Sequence, residues 1–320
     1  MTVFTRSAAN PIVSRHSLPP GSGAADPSSV FNPGAVLVDD RTLLLLRVQT
    51  RARETLLVTA WSDDGVAFDV SAGIVSLEGI DRCPGTVYHV YDPRITATDD
   101  DYRIMVAVDL ENDTRLGVIR TEDFRRFEFL GLDATPALRN GVLFPHRVDG
   151  RWWRLDRPTH KITAGVASGN EIVWSTSPDL LEWQPRAVVA RGRPRRWDEL
   201  IGPGPPPIRT REGWLLIYHG VATHFASVNI YQAGVMLLAL DDPSRVLARG
   251  RNNVLEPRAP YELNGQVPNV VFPSGVIVDG VDSEGCARPE AEVRLYYGAA
   301  DTCVGLATTT IDRLLAACHD

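Results

Sequence analysis

The sequence Trp61-Ser-Asp-Asp64-Gly-Val-Ala-Phe68 is the first of three copies of one pattern. The other two are Arg120-Thr-Glu-Asp123-Phe-Arg-Arg-Phe127 and Ser175-Thr-Ser-Pro-Asp179-Leu-Leu-Glu-Trp183. In each copy a strand-like run ends in Ser or Thr, and an aromatic residue stands four positions after an Asp. Such an Asp can accept hydrogen bonds from its own backbone, and the aromatic can close the edge of a sheet.

The spacing of this pattern predicts the architecture. The three Asp residues are 59 and 56 residues apart, and weaker copies follow at Leu240–Ser244 and Ala307–Leu315. A period of this length suits a four-stranded sheet with long connections, and five such units fill residues 30–312. Closing five sheets around an axis leaves only short exposed edges, so we predict a five-bladed β-propeller. A pair of β-sandwich domains is the alternative.

Most apolar residues occur in short runs bounded by Gly, Pro, Asp or Asn, as strands do. The clearest runs are Ala35–Val38, Leu43–Val48, Arg103–Val108, Leu116–Arg120, Gly141–Phe144, Glu171–Ser175, Trp214–Tyr218, Gly234–Leu240, Val270–Val278 and Val293–Tyr297. Helical spacing is convincing only at Ile311–Ala317. We therefore expect an all-β protein with a short C-terminal helix, in which residues 1–320 form a single propeller domain and residues 1–29 an N-terminal extension.

Composition excludes several classes of partner. Of the 320 residues, 44% are hydrophobic and 23% charged, and 40 acids against 33 bases give a net charge of −7. Nucleic acids and anionic membranes both need a basic surface, so neither is expected as the partner. The four cysteines have no metal-ligand spacing, and the chain has no apolar leader or 18-residue apolar run. We expect a cytoplasmic protein without a metal site.

Each of the five units carries one cluster of polar residues beside a short apolar run. The clusters are Phe31–Ala35 with Leu46–Arg51, Tyr88–Ile95, Arg139–Pro145 with Asp156–Pro158, Ile201–Pro207 with Tyr218–Gly220, and Val267–Pro273 with Tyr296–Asp301. Because every blade of a propeller sends residues to the same axial end, these clusters predict one shared site.

Taken singly, these residues also have ordinary structural interpretations. Asp92 could form an Asx turn before Pro93, and each arginine could pair with a surface acid. His219 could be a hydrogen-bonded core histidine. The Gly-Pro run at 202–207 lacks the Lys and Ser/Thr of a phosphate-binding loop, so a rigid loop is its simplest interpretation. Only the recurrence of one cluster per unit favours a functional site.

Read in chain order, these segments resemble glycoside hydrolase family 130, the β-mannoside phosphorylases and related β-mannosidases, which are five-bladed propellers. The matching motifs, spread over residues 10–315, are Phe-Asn-Pro-Gly-Ala (31–35), Asp-Pro-Arg-Ile-Thr (92–96), Val-Leu-Phe-Pro (142–145), Arg-Pro (157–158), Gly-Pro-Gly-Pro-Pro-Pro-Ile (202–208), Gly-Trp-Leu-Leu-Ile-Tyr-His-Gly-Val (213–221), Val-Pro-Asn-Val-Val-Phe-Pro (267–273) and Tyr-Tyr-Gly-Ala-Ala-Asp (296–301). Their common order makes the resemblance specific.

The resemblance implies roles for nine residues. It implies that Asp92 is the catalytic acid and acts through a hydroxyl of the mannose. The positions that it implies for the sugar are Asn32, Arg47, Arg94, Tyr218 and Asp301, and those for phosphate are Arg139, Arg157 and His219. Asp92 would then be protonated near neutral pH, so we expect burial or a nearby negative charge to raise its pKa.

The implied reaction is consistent with these residue types. An inverting displacement needs an acid at the leaving oxygen and a nucleophile on the opposite face of the sugar. Phosphate arrives as an anion, and guanidinium groups with a histidine donor can position it. We expect an inverting phosphorylase that converts a β-mannoside or oligosaccharide and phosphate to α-D-mannose 1-phosphate. Phosphate is then a co-substrate, no cofactor is needed, and the oligomeric state, a homo-oligomer included, is left open.

Five positions depart from the family pattern. Tyr91 replaces the usual Glu, Asp156 replaces a His, Leu200 and Gln232 replace basic residues, and Ala239 replaces an Asp. An inverting β-mannosidase is therefore an alternative, with Asp156, Glu199 or Glu171 as the base that activates water. A non-catalytic carbohydrate-binding propeller is another. Retention of Asp92 with the phosphate-site residues favours the phosphorylase, since neither alternative needs a phosphate site.

Overall fold

The fold was analysed in a computed structural model, which describes residues 3–111, 113–159, 161–163, 166–223 and 228–320. Its strands form five mainly antiparallel sheets that follow one another along the chain and pack around a common axis. Each predicted strand run overlaps a strand of the structure. The fold is therefore the five-bladed β-propeller that the repeats predicted.

Blades 1 and 2 contain the first ten strands, except that β1 (Thr5–Arg6) belongs to the last blade. The strands of blade 1 are β2 (Pro27–Val38), β3 (Arg41–Thr50), β4 (Thr55–Ser62) and β5 (Asp69–Val70). Those of blade 2 are β6 (Leu77–Glu78), β7 (Val87–Ala97), β8 (Tyr102–Leu110), β9 (Thr114–Thr121) and β10 (Phe127–Leu132). Strand β6 pairs in parallel with β10 at the outer edge.

Blades 3 and 4 follow the same plan. The strands of blade 3 are β11 (Leu138–Leu143), β12 (Trp152–Pro158), β15 (Glu171–Ser177) and β16 (Gln184–Arg191), with a side hairpin of β13 (Lys161–Thr163) and β14 (Val166–Ser168). Those of blade 4 are β17 (Leu200–Pro203), β18 (Ile208–Arg209), β19 (Trp214–Ala222), β20 (Ile230–Leu238) and β21 (Val246–Arg249).

Blade 5 closes the ring. Its strands are β22 (Val271–Val281), β23 (Ala287–Ala299), β24 (Cys303–Thr310) and, as the outermost, β1. The segment predicted as an N-terminal extension thus contributes a strand to this sheet. The helices are α1 (Pro260–Leu263) and α2 (Ile311–His319), with 3-10 turns at Arg15–Ser17 and Ile80–Arg82. Helix α2 is the predicted C-terminal helix. No helix in the described ranges is long and apolar enough to span a membrane.

The repeated Asp turns join the third and fourth strands of blades 1, 2 and 3. In each turn, Oδ1 of Asp64, Asp123 or Asp179 accepts backbone N–H bonds from the residues two and three positions later, at 2.8 to 3.1 Å. The residue directly after each Asp has a left-handed backbone, with φ between 56° and 74°. The Asx chemistry inferred from the sequence is therefore confirmed, and it explains why the pattern repeats.

The apolar core is divided into five clusters, one between each pair of neighbouring blades. In β3, Leu43 and Leu45 pack against blade 2, whereas Leu44 and Leu46 pack against blade 5. All four leucines are fully buried. Because both faces of a blade are covered, its strands consist of continuous apolar runs rather than alternating apolar and polar residues.

The inner strands of blades 1, 2 and 3 each contain a bulge. The strand register shifts at Phe31–Gly34 in β2, at Tyr91–Arg94 in β7 and at Arg139–Val142 in β11. One residue in each bulge has a left-handed backbone: Asn32 (φ 47°), Asp92 (φ 54°) and Asn140 (φ 54°). Asn and Asp tolerate this conformation better than other residues with a Cβ. A bulge re-aims its side chain, so these three positions turn polar groups toward the axis.

Candidate active site

Three side chains from blades 1 and 2 meet at the axial end of the propeller. Asn32 Nδ2 and Arg47 Nη1 each donate to Oδ1 of Asp92, both at 2.9 Å. Asn32 and Asp92 occupy the bulges of β2 and β7, and Arg47 lies in β3. The backbone of Gly298 leaves the space for this contact, because a Cβ there would lie 2.0 Å from Asn32 Oδ1. The three predicted residues are therefore one hydrogen-bonded group.

Two aromatic rings fix the orientation of Arg47. Its guanidinium carbon lies 4.5 Å from the ring centre of Phe31 and 4.6 Å from that of Tyr91. Tyr91 is held in turn, because its hydroxyl donates to Asp109 Oδ1 at 2.9 Å. Stacking between two rings favours the charged guanidinium and leaves its edge free to face Asp92. Tyr91, a departure from the family pattern, thus has a defined place in the site.

Arg94 lies behind Asp92. Its side chain is fully buried, and its Nε donates to the carbonyl oxygen of Gly204 at 2.9 Å. Its Nη1 lies 3.4 Å from the carbonyl oxygens of Asp92 and Pro93. The structure therefore places Arg94 as a support for the backbone at Asp92, and its predicted contact with the substrate stays a prediction. Arg94 acts on the site through its charge.

The electrostatic environment of Asp92 is the reverse of the expected one. Burial acts to raise its pKa, but the charges of Arg47 and Arg94, with the hydrogen bonds from Asn32 and Arg47, outweigh that effect. The pKa of Asp92 therefore lies below its ordinary value. The expectation of a raised pKa neglected the two cations that the fold places against this carboxylate.

Asp301 is the carboxyl group of this site whose pKa is raised. It lies in the β23–β24 hairpin with φ 49°, half-buried, and it has no hydrogen bond or ion pair to the described residues. Burial raises its pKa to about 6, while the charge of Arg47 opposes the rise and that of Asp92 adds to it. Asp301 thus belongs to the same electrostatic group as Asp92.

Arg157 and His219 form a second pair of contacting side chains in the cluster. Both side chains are buried, and Arg157 Nη1 lies 3.3 Å from Nε2 of His219. In the described part of the chain, Arg157 has no carboxylate within ion-pair distance. Burial, and to a smaller extent the charge of Arg139, lower its pKa, and the Tyr231 hydroxyl opposes the change. A buried guanidinium without an anion is costly, so this position favours binding of one.

Arg139 is the second cation near this position. Its Nη2 donates to Thr114 Oγ1 at 3.3 Å and lies 3.8 Å from Asp109 Oδ1. About a third of the side chain is exposed, and its Nε has no partner among the described residues. Arg139 is therefore only loosely compensated by Asp109 and can turn donors toward an anion.

Tyr218 does not reach the cluster. Its ring is fully buried in the core between blades 3 and 4, and its hydroxyl donates to Asp198 Oδ2 at 2.9 Å and accepts from Arg249 Nε at 3.1 Å. Successive strand residues point to opposite faces, so His219 faces the axis and Tyr218 faces the core. The structure therefore places Tyr218 in the core between blades 3 and 4, away from the other predicted site residues.

None of the three acids considered as a base for hydrolysis is free in the structure. Asp156 is fully buried, 2.6 Å from Arg154 Nε and bonded to Ser175 Oγ. Glu171 pairs with Arg191 on the outer strands of blade 3, and Glu199 accepts from the Thr223 hydroxyl. Asp156 and Arg157 lie on opposite faces of β12, so the acid does not oppose the arginine.

Two of the remaining departures leave a less basic site. Gln232 is buried and accepts a hydrogen bond from Asn253 Nδ2 at 2.7 Å, and Leu200 begins β17 beside Val221. Tyr231 was not assigned to the site from the sequence, yet its hydroxyl interacts electrostatically with Arg157, Asp301 and Arg139. The available sequence signal was that Tyr231 directly precedes Gln232, which departs from the family pattern.

Seven of the nine predicted side chains therefore form one connected cluster: Asn32, Arg47, Asp92, Arg139, Arg157, His219 and Asp301. They come from all five blades, as the recurrence of polar clusters suggested. The described residues contain no group of three or more His, Cys, Asp and Glu side chains arranged to hold a metal ion.

The chain matches known proteins over its whole length. The family model for β-1,4-mannooligosaccharide phosphorylase, of glycoside hydrolase family 130, matches residues 4–320. A β-1,4-mannooligosaccharide phosphorylase of Ruminococcus albus is 32% identical over 319 residues, which span 97% of this chain and 89% of the relative. A 4-O-β-D-mannosyl-D-glucose phosphorylase of Bacteroides fragilis is 31% identical over 91% of this chain and 75% of its own.

The fold is shared with a solved relative. The Listeria innocua β-1,2-mannobiose phosphorylase, determined as a complex with β-1,2-mannobiose, superimposes with a TM-score of 0.84, is 26% identical, and is matched over 98% of this chain and 99% of its own. A family match from residue 4 to residue 320, with the same fold and motifs in the same order, is what common descent produces. The chain belongs to glycoside hydrolase family 130, the family of the mannoside phosphorylases.

Proposed function

We propose that this protein is a β-mannoside phosphorylase, which cleaves a β-mannoside with inorganic phosphate and releases α-D-mannose 1-phosphate with inversion. The observation that carries the proposal is the buried Arg157, which lacks a carboxylate partner in the described ranges and lies close enough to Arg139 for their charges to repel. A planar guanidinium pair of this kind suits a doubly charged oxyanion. Phosphate both satisfies these cations and serves as the nucleophile.

The sugar binds at the part of the cluster around Asp92. Asn32, Arg47 and Asp301 offer donors and an acceptor to the hydroxyl groups of a mannosyl unit, and Asp92 acts as the acid. Inversion requires the nucleophile and the acid on opposite faces of the sugar ring. In the proposed arrangement, Asp92 supplies the acid, and Arg157 with Arg139 binds the nucleophile.

Binding of the substrates favours the protonated form of Asp92. Its pKa is low while Arg47 and Arg94 are the charges next to it. A phosphate dianion at Arg157 and Arg139 offsets this positive field, and a sugar over the site excludes water, so both raise the pKa of Asp92. In the overall reaction, hydrogen phosphate gives up one proton and the leaving alcohol gains one. The enzyme itself therefore ends each cycle in its starting protonation state.

Phosphate is the only co-reactant that this mechanism needs, and we propose neither a cofactor nor a metal. The proposed substrates are β-linked mannosides or mannooligosaccharides, the substrates for which the relatives are named. Hydrolysis is the less favoured alternative, because Asp156, Glu171 and Glu199 are all engaged by other side chains.

A product assay tests the proposal. The protein is incubated with β-1,2-, β-1,3- and β-1,4-mannobiose and with mannosylglucose over a phosphate titration, and mannose and mannose 1-phosphate are quantified separately. We expect mannose 1-phosphate at a rate that rises and saturates with phosphate. Free mannose as sole product, at a rate independent of phosphate, would establish the hydrolase instead. Sugar binding without any product would establish the non-catalytic propeller.

A further inference from the structure

The tautomer of His219 follows from its contacts. Its Nδ1 lies 3.2 Å from the carbonyl oxygen of Pro203. A carbonyl oxygen only accepts hydrogen bonds, so the proton of the neutral ring is on Nδ1. The other ring nitrogen, Nε2, then carries a lone pair and no proton. It points toward Arg157, whose guanidinium can only donate, and the 3.3 Å contact between them is consistent with that assignment.

The surroundings keep the ring neutral and in place. Burial and the positive charges of Arg157 and Arg94 lower the pKa of His219 well below its ordinary value. The rings of Phe272 and Tyr231 lie 4.8 and 6.4 Å from the imidazole. A Cβ at Gly202 would lie 2.4 Å from Cε1 and 2.7 Å from Nε2, so the imidazole packs directly on that backbone. The ring therefore has little freedom to turn Nδ1 away from Pro203.

The anion position consequently combines donors with one acceptor. Arg157 and Arg139 present N–H groups only, whereas Nε2 presents a lone pair. The Arg157 contact that occupies this lone pair is long, and its guanidinium lacks a carboxylate partner among the described residues. An oxyanion that takes the Nη1 donor of Arg157 away from this long contact leaves the lone pair of Nε2 without a hydrogen atom, and the anion itself can supply one.

We propose that Nε2 of His219 accepts a hydrogen bond from the P–OH group of hydrogen phosphate, so that the site selects an oxyanion that carries a proton. The inference rests on the proposed function, which places phosphate here, and it changes the expected role of His219 from donor to acceptor. A fully deprotonated dianion such as sulfate would place an oxygen lone pair against that of Nε2. A buried acceptor left unpaired in this way typically reduces affinity by about 10- to 100-fold.

Three oxyanions of similar size and shape separate these cases. Phosphate carries a proton near neutral pH, whereas sulfate and fluorophosphate are dianions that carry none. Their affinities for the full-length protein are measured by isothermal titration calorimetry at one pH. We expect phosphate to bind at least about tenfold more tightly than either of the other two.

Two variants separate the role of His219 from a general loss of affinity. In His219→Gln the side-chain amide can present either its oxygen or its N–H. The ratio of the affinity for phosphate to that for sulfate should therefore fall toward one. The control Arg139→Lys replaces the planar guanidinium donor and leaves the acceptor, Nε2 of His219, in place. The affinities for all three anions should therefore fall together, and the preference for phosphate should remain. A preference that survives in His219→Gln, or collapses in Arg139→Lys, contradicts the assignment.

Two measurements on the wild-type protein do not depend on the folding of any variant. Equal affinity for phosphate and fluorophosphate would overturn the proposal while leaving phosphorolysis intact. A nitrogen-15 NMR spectrum of the phosphate complex with a proton on Nε2 would overturn it as well. Absence of oxyanion binding together with phosphate-independent release of mannose would instead overturn the proposed function, and this inference with it.

Discussion

Replacing Arg157 by Met should make the protein more stable and weaken its phosphate binding. Met has a similar length and no charge, so the substitution removes a buried guanidinium that has no carboxylate partner in the described ranges. Among the described residues, the one side-chain hydrogen bond lost is the 3.3 Å contact with His219, and its loss offsets part of the gain. Arg154→Met is the matched control in the same strand, because Arg154 is also buried but is paired with Asp133 and Asp156.

The two substitutions should change the stability of the protein in opposite directions. Removing an unpaired buried cation should raise the free energy of unfolding by about 2 kcal/mol, whereas breaking a buried ion pair lowers it by about 3–5 kcal/mol. An unfolding entropy of about 2.1 cal/mol/K per residue gives this chain about 0.7 kcal/mol per degree. We therefore expect the Tm to rise by about 3 °C in Arg157→Met and to fall by about 4–7 °C in Arg154→Met.

Phosphate provides the second half of the assay. At a concentration 100 times its Kd, it should stabilise the wild-type protein by about 2.7 kcal/mol, or about 4 °C. Loss of a charge-assisted contact weakens phosphate binding about 10- to 150-fold, so the stabilisation of Arg157→Met should fall to about half or less. Thermal unfolding with and without phosphate, at constant ionic strength, measures both effects.

Either of two results would refute this reasoning. If Arg157→Met lowers the Tm in phosphate-free buffer as much as Arg154→Met does, then Arg157 is compensated in the folded protein and is not an empty anion site. If phosphate stabilises Arg157→Met as strongly as it stabilises the wild type, then phosphate binds elsewhere. Kinetic titration of phosphate with both variants checks the second point independently.

The remaining predictions concern two residues of the site and one residue that lies outside it. Asp92→Asn keeps the shape of the side chain and removes its proton, so kcat should fall about 10²- to 10⁴-fold with an unchanged circular dichroism spectrum; a wild-type rate would remove Asp92 from the mechanism. Asp301 has a raised pKa of about 6, so its stabilising contribution is present at low pH and is lost as pH rises toward and through 6. Asp301→Asn should therefore be neutral at pH 4 and stabilising by about 1 kcal/mol at pH 8, after allowance for partial exposure, and equal urea-unfolding free-energy changes at both pH values would contradict this assignment. Tyr218→Phe should lower stability by about 1–2 kcal/mol through loss of its buried hydrogen bonds, with KM for sugar and phosphate unchanged; a selective rise in the sugar KM would return Tyr218 to the site.

The fold could be predicted from the sequence because its signal is local. The Asp64, Asp123 and Asp179 turns depend on hydrogen bonds that span two or three residues, so each copy is visible in a window of eight. The bulge residues Asn32 and Asp92 were visible for a similar reason, since Asn and Asp before Pro mark an irregular strand. Regular spacing of such local features was enough to predict five blades.

The sequence did not show which way the side chains of a buried strand point. The run Trp214–Tyr218 with His219 is apolar on both faces, because blade 4 packs against neighbours on both sides. No alternation of polar and apolar residues then tells which side chain faces the axis. Tyr218 was therefore assigned to the site together with His219, and only the packing of blades 3 and 4 separates them.

Charge compensation was likewise decided only by tertiary structure. The family motif singles out Arg157, but the sequence does not show which of Arg154 and Arg157 is paired with an acid; the fold gives Arg154 two buried acids and Arg157 none within ion-pair distance in the described chain. The pKa values of Asp92 and Asp301 move in opposite directions for the same reason. Electrostatic energies depend on distances between side chains from different blades, and those distances are fixed only when the ring of blades closes.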